Sequence, residues 1–222
     1  FQGQSSPGIL PEGDYYLTYN TFIETLNDGT EVKLRKPNLH WNKLNYGDFE
    51  DSTGFTMLVS PALIGMGLLD NIPDEMIMSG ADPDDKNNDG ISGRVSWVFS
   101  GKEKVIGRFG YKASIASVSA QNQSAFNTDL GLSTPLNSNP SGDCTELQQD
   151  CMESPNGNSP HLDNLEVDKQ QARLVDLFVS LSSPPAMRNL TSNTFLDGKR
   201  FFEEGGCASC HTPKMTTGNE SN

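Results

Sequence analysis

The chain has 222 residues, enough for one large or two small domains, and its 29 acidic against 16 basic residues give a formal net charge of −13. Such a charge disfavours nucleic acid and anionic membrane surfaces as partners. No stretch reaches the roughly 20 apolar residues of a membrane span, since the best run, 57–69, is broken by Pro61, Gly65 and Gly67.

Residues 1–13 read as a Gly/Pro/Ser-rich arm. Residues 15–26 alternate imperfectly, then Asn27-Asp28-Gly29 makes a turn before Glu31-Val32-Lys33-Leu34-Arg35, a hairpin signal in which Pro37 is expected to end the second strand. Ser60-Pro61 resembles an N-cap with proline at the first helical position, so a short apolar helix is expected through Leu69, and Pro73-Asp74-Glu75 starts another. Beyond an acidic loop at 82–93, residues 94–99 and 104–109 flank Ser100-Gly101-Lys102 as a second hairpin. Residues 114–126 read as a helix, and 131–162 as a long loop of Asn, Ser, Pro and Gly. Leu165, Ala172, Val175, Phe178 and Val179 recur at helical spacing over 165–181, where Pro184-Pro185 follows. Ser192 caps a last helix, 194–204, bearing Phe195, Phe201 and Phe202.

The acidic loop, Asp85-Lys86-Asn87-Asn88-Asp89-Gly90-Ile91-Ser92, matches the first half of a calcium loop. Asp85, Asn87 and Asp89 would offer side-chain oxygens, Ile91 its carbonyl, and Asp82 and Asp84 could complete the cage. Ser96 stands where an EF-hand carries its glutamate, and a strand rather than a helix follows, so this is no EF-hand. An acidic surface turn explains the same residues. Cys144 and Cys151 are expected to couple as a structural disulfide tethering the long loop.

The most specific motif is Cys207-Ala208-Ser209-Cys210-His211. Two thiols at this spacing can add to the two vinyl groups of one haem, and the histidine then falls beneath the iron as proximal ligand. A zinc site would need a second such pair, which the spacing of Cys144 and Cys151 does not supply, and no βαβ pattern precedes the motif to suggest a redox dithiol. The chain therefore reads as a c-type cytochrome of some kind. Arg94, Arg108 and Lys112 bracket the second hairpin and are candidates for pairing with haem propionates, and Trp97 and Tyr111 for relaying electrons. His40, His161 and the methionines Met57, Met66, Met76 and Met78 are weaker candidates for an axial ligand, each more ordinary as a solvated or core residue. Covalent haem attachment places it outside the cytoplasm, in a periplasmic or surface location. Phe1 opens a polar segment, so a removed signal or lipoprotein leader is expected. Eleven residues follow His211, and the rest of the same polypeptide or a companion chain is expected to complete the haem pocket.

Taken in order, Pro61-Ala62-Leu63-Ile64-Gly65-Met66-Gly67-Leu68-Leu69, Ala81-Asp82-Pro83-Asp84-Asp85, Asp89-Gly90-Ile91-Ser92-Gly93-Arg94, Gly107-Arg108-Phe109-Gly110-Tyr111-Lys112-Ala113, Asp129-Leu130-Gly131-Leu132-Ser133-Thr134, the Cys144/Cys151 pair and Gly206-Cys207-Ala208-Ser209-Cys210-His211-Thr212-Pro213 resemble the bacterial di-haem oxidoreductase family. These peroxidase-like proteins, sometimes labelled thiol oxidoreductases, are distant relatives of di-haem cytochrome c peroxidases. The resemblance covers about residues 30–215. It implies two c-type haems in cytochrome-c-like domains, one receiving electrons and one meeting peroxide. This chain shows one attachment motif, and the other is expected upstream of Phe1.

The expected fold is mainly α, a cytochrome-c-like haem domain with inserted β-hairpins and long loops, α+β overall. Its expected parts are an arm and hairpin at 1–56, helices, calcium-like loop, second hairpin and long loop at 57–162, and the start of a haem domain at 163–222. The expected function is peroxide reduction with electrons from a donor cytochrome or other small redox protein, using haem c and a possible calcium ion. The alternative is a non-catalytic electron-transfer cytochrome or a cytochrome subunit of a surface assembly.

Overall fold

The computed structural model describes residues 10–142, 144–146 and 148–218. Helix makes up 28% and strand 20% of these residues, and among them the strands form two separate two-stranded antiparallel sheets. The expectation of a mainly α, cytochrome-c-like chain is thereby corrected to a mixed one. Much of the difference lies in one hairpin: β1 (Gly13–Thr25) and β2 (Glu31–Leu44) are 13 and 14 residues long. The chain divides into two compact units, Phe1–Val59 with Ser124–Asp168 and Ser60–Gln123 with Lys169–Asn222. Among the described residues no helix is long and apolar enough to cross a membrane.

In the first unit the predicted turn closes the long hairpin. The Leu26 N–H donates to the Thr30 carbonyl at 2.9 Å, Gly29 takes φ 85°, and the Asp28 carboxylate accepts from the Thr30 N–H at 2.9 Å. That last bond holds the Asp28 carboxyl below its ordinary range. Pro37 does not end β2 but pairs with Tyr19 in mid-strand. In a two-stranded sheet every strand is an edge, so a missing N–H can be tolerated there. At the base of the hairpin Trp41 packs against Phe49 and Phe55, with ring centroids 4.9 Å away in both cases. Tyr15, Leu17, Leu39 and Trp41 share an apolar hollow with residues 56–58.

The long loop of this unit is held by one carboxylate. Glu166 accepts from the Ser133 N–H at 2.8 Å through one oxygen and from the Gly157 N–H at 2.7 Å through the other. The Glu166 N–H donates to the Ser133 hydroxyl at 3.0 Å, which in turn donates to Asn158 at 2.6 Å. Ser133 and Thr134 have no solvent exposure, so an unpaired group there would be costly. Glu166→Ala is expected to lower unfolding stability by about 1–3 kcal/mol, the desolvation cost of the N–H groups it leaves without an acceptor. A urea titration checks this, and an unchanged midpoint would remove the carboxylate from the account. Within the loop, α4 (Gln149–Met152) carries Cys151, which is disulfide-bonded to Cys144 across a Cα separation of 6.3 Å.

In the second unit, helices α1 (Met66–Asp70), α2 (Asp74–Ser79), α5 (Lys169–Leu181) and α6 (Asn193–Glu204) accompany a short hairpin, β3 (Trp97–Ser100) with β4 (Glu103–Ile106). The first of these helices is shorter than expected, because Gly65 adopts φ 77°. A residue in the left-handed region cannot continue an α-helix, so the helix can only begin after it. The core joins Met66, Phe109, Val118 and Val179, with Ile115 and Val175 packed against them. Val118 opens α3 (Val118–Thr128), four residues later than expected, since Ile115 is bridged to Phe109 instead. Leu165 likewise lies outside α5, bridged to Ser159.

Candidate functional site

The Cys-x-x-Cys-His motif follows directly on α6. Ser192 caps this helix, its hydroxyl accepting from the Phe195 N–H at 3.2 Å. At the far end Gly206 takes φ 76°, a left-handed turn that glycine enters without steric cost. The chain then winds into a 3₁₀ turn at Cys207–Ser209, and the His211 N–H donates to the Cys207 carbonyl at 2.9 Å. One turn therefore spans the motif, and side chains three apart on such a turn lie on one side of it. Both thiols are free and exposed. The His211 ring stands 6.4 Å from the Phe202 ring at 52°, centroid to centroid. Helix α6 also leaves Leu196 and Phe201 exposed, and α5 exposes Leu174, Leu177, Phe178 and Leu181 at positions i, i+3, i+4 and i+7. The second unit thus carries both the motif and much uncovered apolar surface.

The acidic loop closes on itself. Asp85 accepts from the N–H groups of Asp89 at 3.0 Å and Gly90 at 3.2 Å, and Asp89 accepts from the Ile91 N–H at 2.9 Å. Asn87 accepts from the Asp89 N–H and donates its amide to the Asp89 carboxylate at 3.1 Å. Asp82 accepts from the Lys86 N–H at 3.0 Å and the Asn87 N–H at 3.3 Å. The Lys86 bond is the main reason the Asp82 carboxyl titrates below its ordinary range. Among the described residues no three His, Cys, Asp or Glu side chains are gathered to hold a metal ion. The calcium reading of Asp85, Asn87, Asp89 and Ile91, with Asp82 and Asp84 as auxiliaries, gains no support; the side-chain oxygens of Asp82, Asp85, Asn87 and Asp89 accept from backbone N–H groups of the turn.

The two candidate propionate arginines are engaged inside the protein. Arg94 donates to the Pro83 carbonyl at 3.1 Å and the Ser92 carbonyl at 3.3 Å, clamping the acidic loop. Arg108 donates to the Ile72 carbonyl at 2.6 Å and forms an ion pair with Asp74, joining the end of α1 to the start of α2. The sequence marks Asp74 only as part of a helix start, and a separation of 34 residues from Arg108 carries no local signal of the pair. Trp97 and Tyr111 are exposed, Trp97 beneath the Lys104 ammonium. His40 is half-buried in β2, where its Nε2 hydrogen-bonds the Thr18 hydroxyl at 2.8 Å, while His161 is exposed. Met66 is core, and the Met76 sulfur accepts from the Thr216 N–H at 3.3 Å.

The protein family described as "Di-haem oxidoreductase, putative peroxidase" matches residues 6–222 of this chain. The chain belongs to that family. No curated protein and no solved structure matches it. A di-haem oxidoreductase binds haem, and the residues of the motif fit the group: two uncoupled, exposed thiols on one side of a turn, an imidazole one position on, and apolar side chains exposed in the same unit. Cys207 and Cys210 would hold the macrocycle covalently and His211 would ligate the iron.

Proposed function

We propose that this di-haem oxidoreductase reduces peroxide with electrons from a small redox protein such as a donor cytochrome. The observation that carries the reading is the exposed Cys207/Cys210/His211 turn in a chain matched by the family from residue 6 onward. The bound haem would supply a redox-active iron at which peroxide is split and through which electrons pass one at a time. Cleavage of hydrogen peroxide to two waters consumes two electrons and two protons, and the donor supplies the electrons in successive deliveries. The protein's own share begins with orientation: the Cys207 carbonyl to His211 N–H bond fixes the turn that presents the imidazole, and Phe202 packs beside its ring.

The net charge of −13 supports a basic donor, attracted at a rate that falls as salt rises. The Cys144–Cys151 disulfide is at home in an oxidising compartment, which supports an extracytoplasmic place for the protein, with or without a lipid anchor. The full polypeptide, loaded with haem, is expected to oxidise a reduced small cytochrome on adding hydrogen peroxide, and to show a high-spin haem in the active state. Haems that stay low-spin in every redox state, with no turnover, would identify an electron-transfer cytochrome instead.

A further inference from the structure

The haem motif is held from both sides. Before it comes α6, and after it residues 212–218 run back, within the same unit, to the corner between α1 and α2. There the Thr216 N–H donates to the Met76 sulfur at 3.3 Å and the Gly218 N–H to the Asn71 carbonyl at 2.8 Å. Gly218 also lies against Pro73, whose Cγ would stand 3.3 Å from a Cβ at position 218. Every residue of 212–218 is exposed, so directed contacts rather than burial fix the path of this segment. Its join to His211 is stiff, because Pro213 fixes its own φ and biases Thr212 toward extended backbone.

The corner that receives this segment is set by Arg108. Its guanidinium donates to the Ile72 carbonyl at 2.6 Å and to the Leu69 carbonyl at 3.5 Å, and it pairs with Asp74. The segment takes hold at 71, 73 and 76 and Arg108 at 69, 72 and 74, so the two sets of contacts interleave on one short stretch of chain. Arg108 and Gly218 also line the same cavity of about 200 Å³. The Arg108 side chain is 12% exposed. Its planar fork can serve these three acceptors together, as the compact ammonium of a lysine cannot. We infer that 212–218 is a strap through which the α1–α2 corner positions His211, and that Arg108 is the positioning residue that sets the corner. The inference rests on His211 being the protein ligand of the iron. The Cys207 carbonyl fixes the His211 backbone from one side and the strap fixes it from the other. An imidazole so held meets the iron at one distance and tilt, and orientation by groups beyond the ligand itself tunes the potential of a haem.

Hydrogen exchange read by mass spectrometry, together with spectroscopic redox titration, tests the inference on the full haem-loaded protein. Thr216→Pro with Gly218→Pro removes both N–H donors of the strap from exposed chain. This double variant is expected to keep its haem count and its urea midpoint, to exchange about ten-fold faster over 207–211, and to move the midpoint potential of that haem in the direction in which His211→Ala moves it. Arg108→Lys is expected to speed exchange over 212–218 and to shift the potential in the same direction by less, with α5 exchanging as in the wild type. A double variant with wild-type exchange over 207–211 and a wild-type potential overturns the strap. Wild-type exchange over 212–218 in Arg108→Lys overturns the role of Arg108. His211→Ala tells the two kinds of failure apart. If it moves the potential and the strap variant does not, the strap alone is wrong. If His211→Ala leaves potential and spectra unchanged, the ligation reading is wrong and the inference falls with it.

Discussion

Replacing Cys207 and Cys210 together with serine is expected to remove one covalently bound haem from each polypeptide and to bring peroxide turnover to background. The serine hydroxyl cannot add to a vinyl group under the conditions in which a thiolate does, so no thioether forms at either position. His211→Ala is expected to behave differently. The thioethers still form, so the haem count holds, but the iron loses its protein ligand on that side, and both its spin state and its reduction potential shift. The comparison separates attachment from ligation, which a single substitution does not. Denaturing gels stained for haem count the attached groups, and absorption spectra of the ferric and ferrous forms read the ligation. The double serine variant retaining its full haem count would show that the motif attaches nothing. The geometry gives the reason for expecting otherwise: the thiols are exposed and unbonded, although Cys144 and Cys151 of the same chain are coupled.

What the sequence made legible was the part that rests on local chemistry. The Asn27-Asp28-Gly29 turn and the Ser192 cap depend on neighbours within a few residues, and both are found in the structure; of the apolar stripe read over 165–181, Ala172, Val175 and Val179 pack inward, whereas Phe178 is exposed and Leu165 lies outside α5. The errors arose where one local pattern served two structures. Ser60-Pro61 is as good a start for a helix as for an extended segment, and the left-handed backbone at Gly65 decides against the helix. Pro37 forbids a central strand but not an edge one, and the sequence does not say how many strands a sheet will have. The acidic loop carries the same double reading. The oxygens that would ligand calcium are the same that cap the backbone of an Asx-rich turn, so Asp85-x-Asn87-x-Asp89-Gly90 fits both. The pairing of Arg108 with Asp74 and the clasp of Glu166 on Ser133 were beyond reach for a different reason: they join residues 34 and 33 positions apart. Their partners are chosen by packing rather than by pattern.

Gly67→Ala is expected to destabilise the protein by about 3 kcal/mol or more, at the upper end of what overpacking costs, although alanine is the better helix former by about 1 kcal/mol. Gly67 lies buried in α1 where it crosses α5, and a Cβ at this position would stand 2.2 Å from the Ser180 carbonyl oxygen and 2.8 Å from its carbonyl carbon. Both are backbone atoms, so no rotamer change relieves the contact. Relief requires α1 or α5 to move. Just beyond this point the Gly65 N–H donates to the Ser182 carbonyl at 2.6 Å, which ties the two segments together. Met66 and Val179, on either side of the crossing, are core residues, so separating the helices opens the core as well. Gly198→Ala on α6 supplies the control. Its Cβ would meet nothing within 4 Å, and the same chemical change there is expected to raise stability by up to about 1 kcal/mol through helix propensity alone. Urea unfolding midpoints of the two variants should therefore move in opposite directions. If both rise, the α1–α5 crossing has room that the structure does not show. If both fall, α6 gains nothing from a better helix former and its end at the haem motif is held by something other than its own turns.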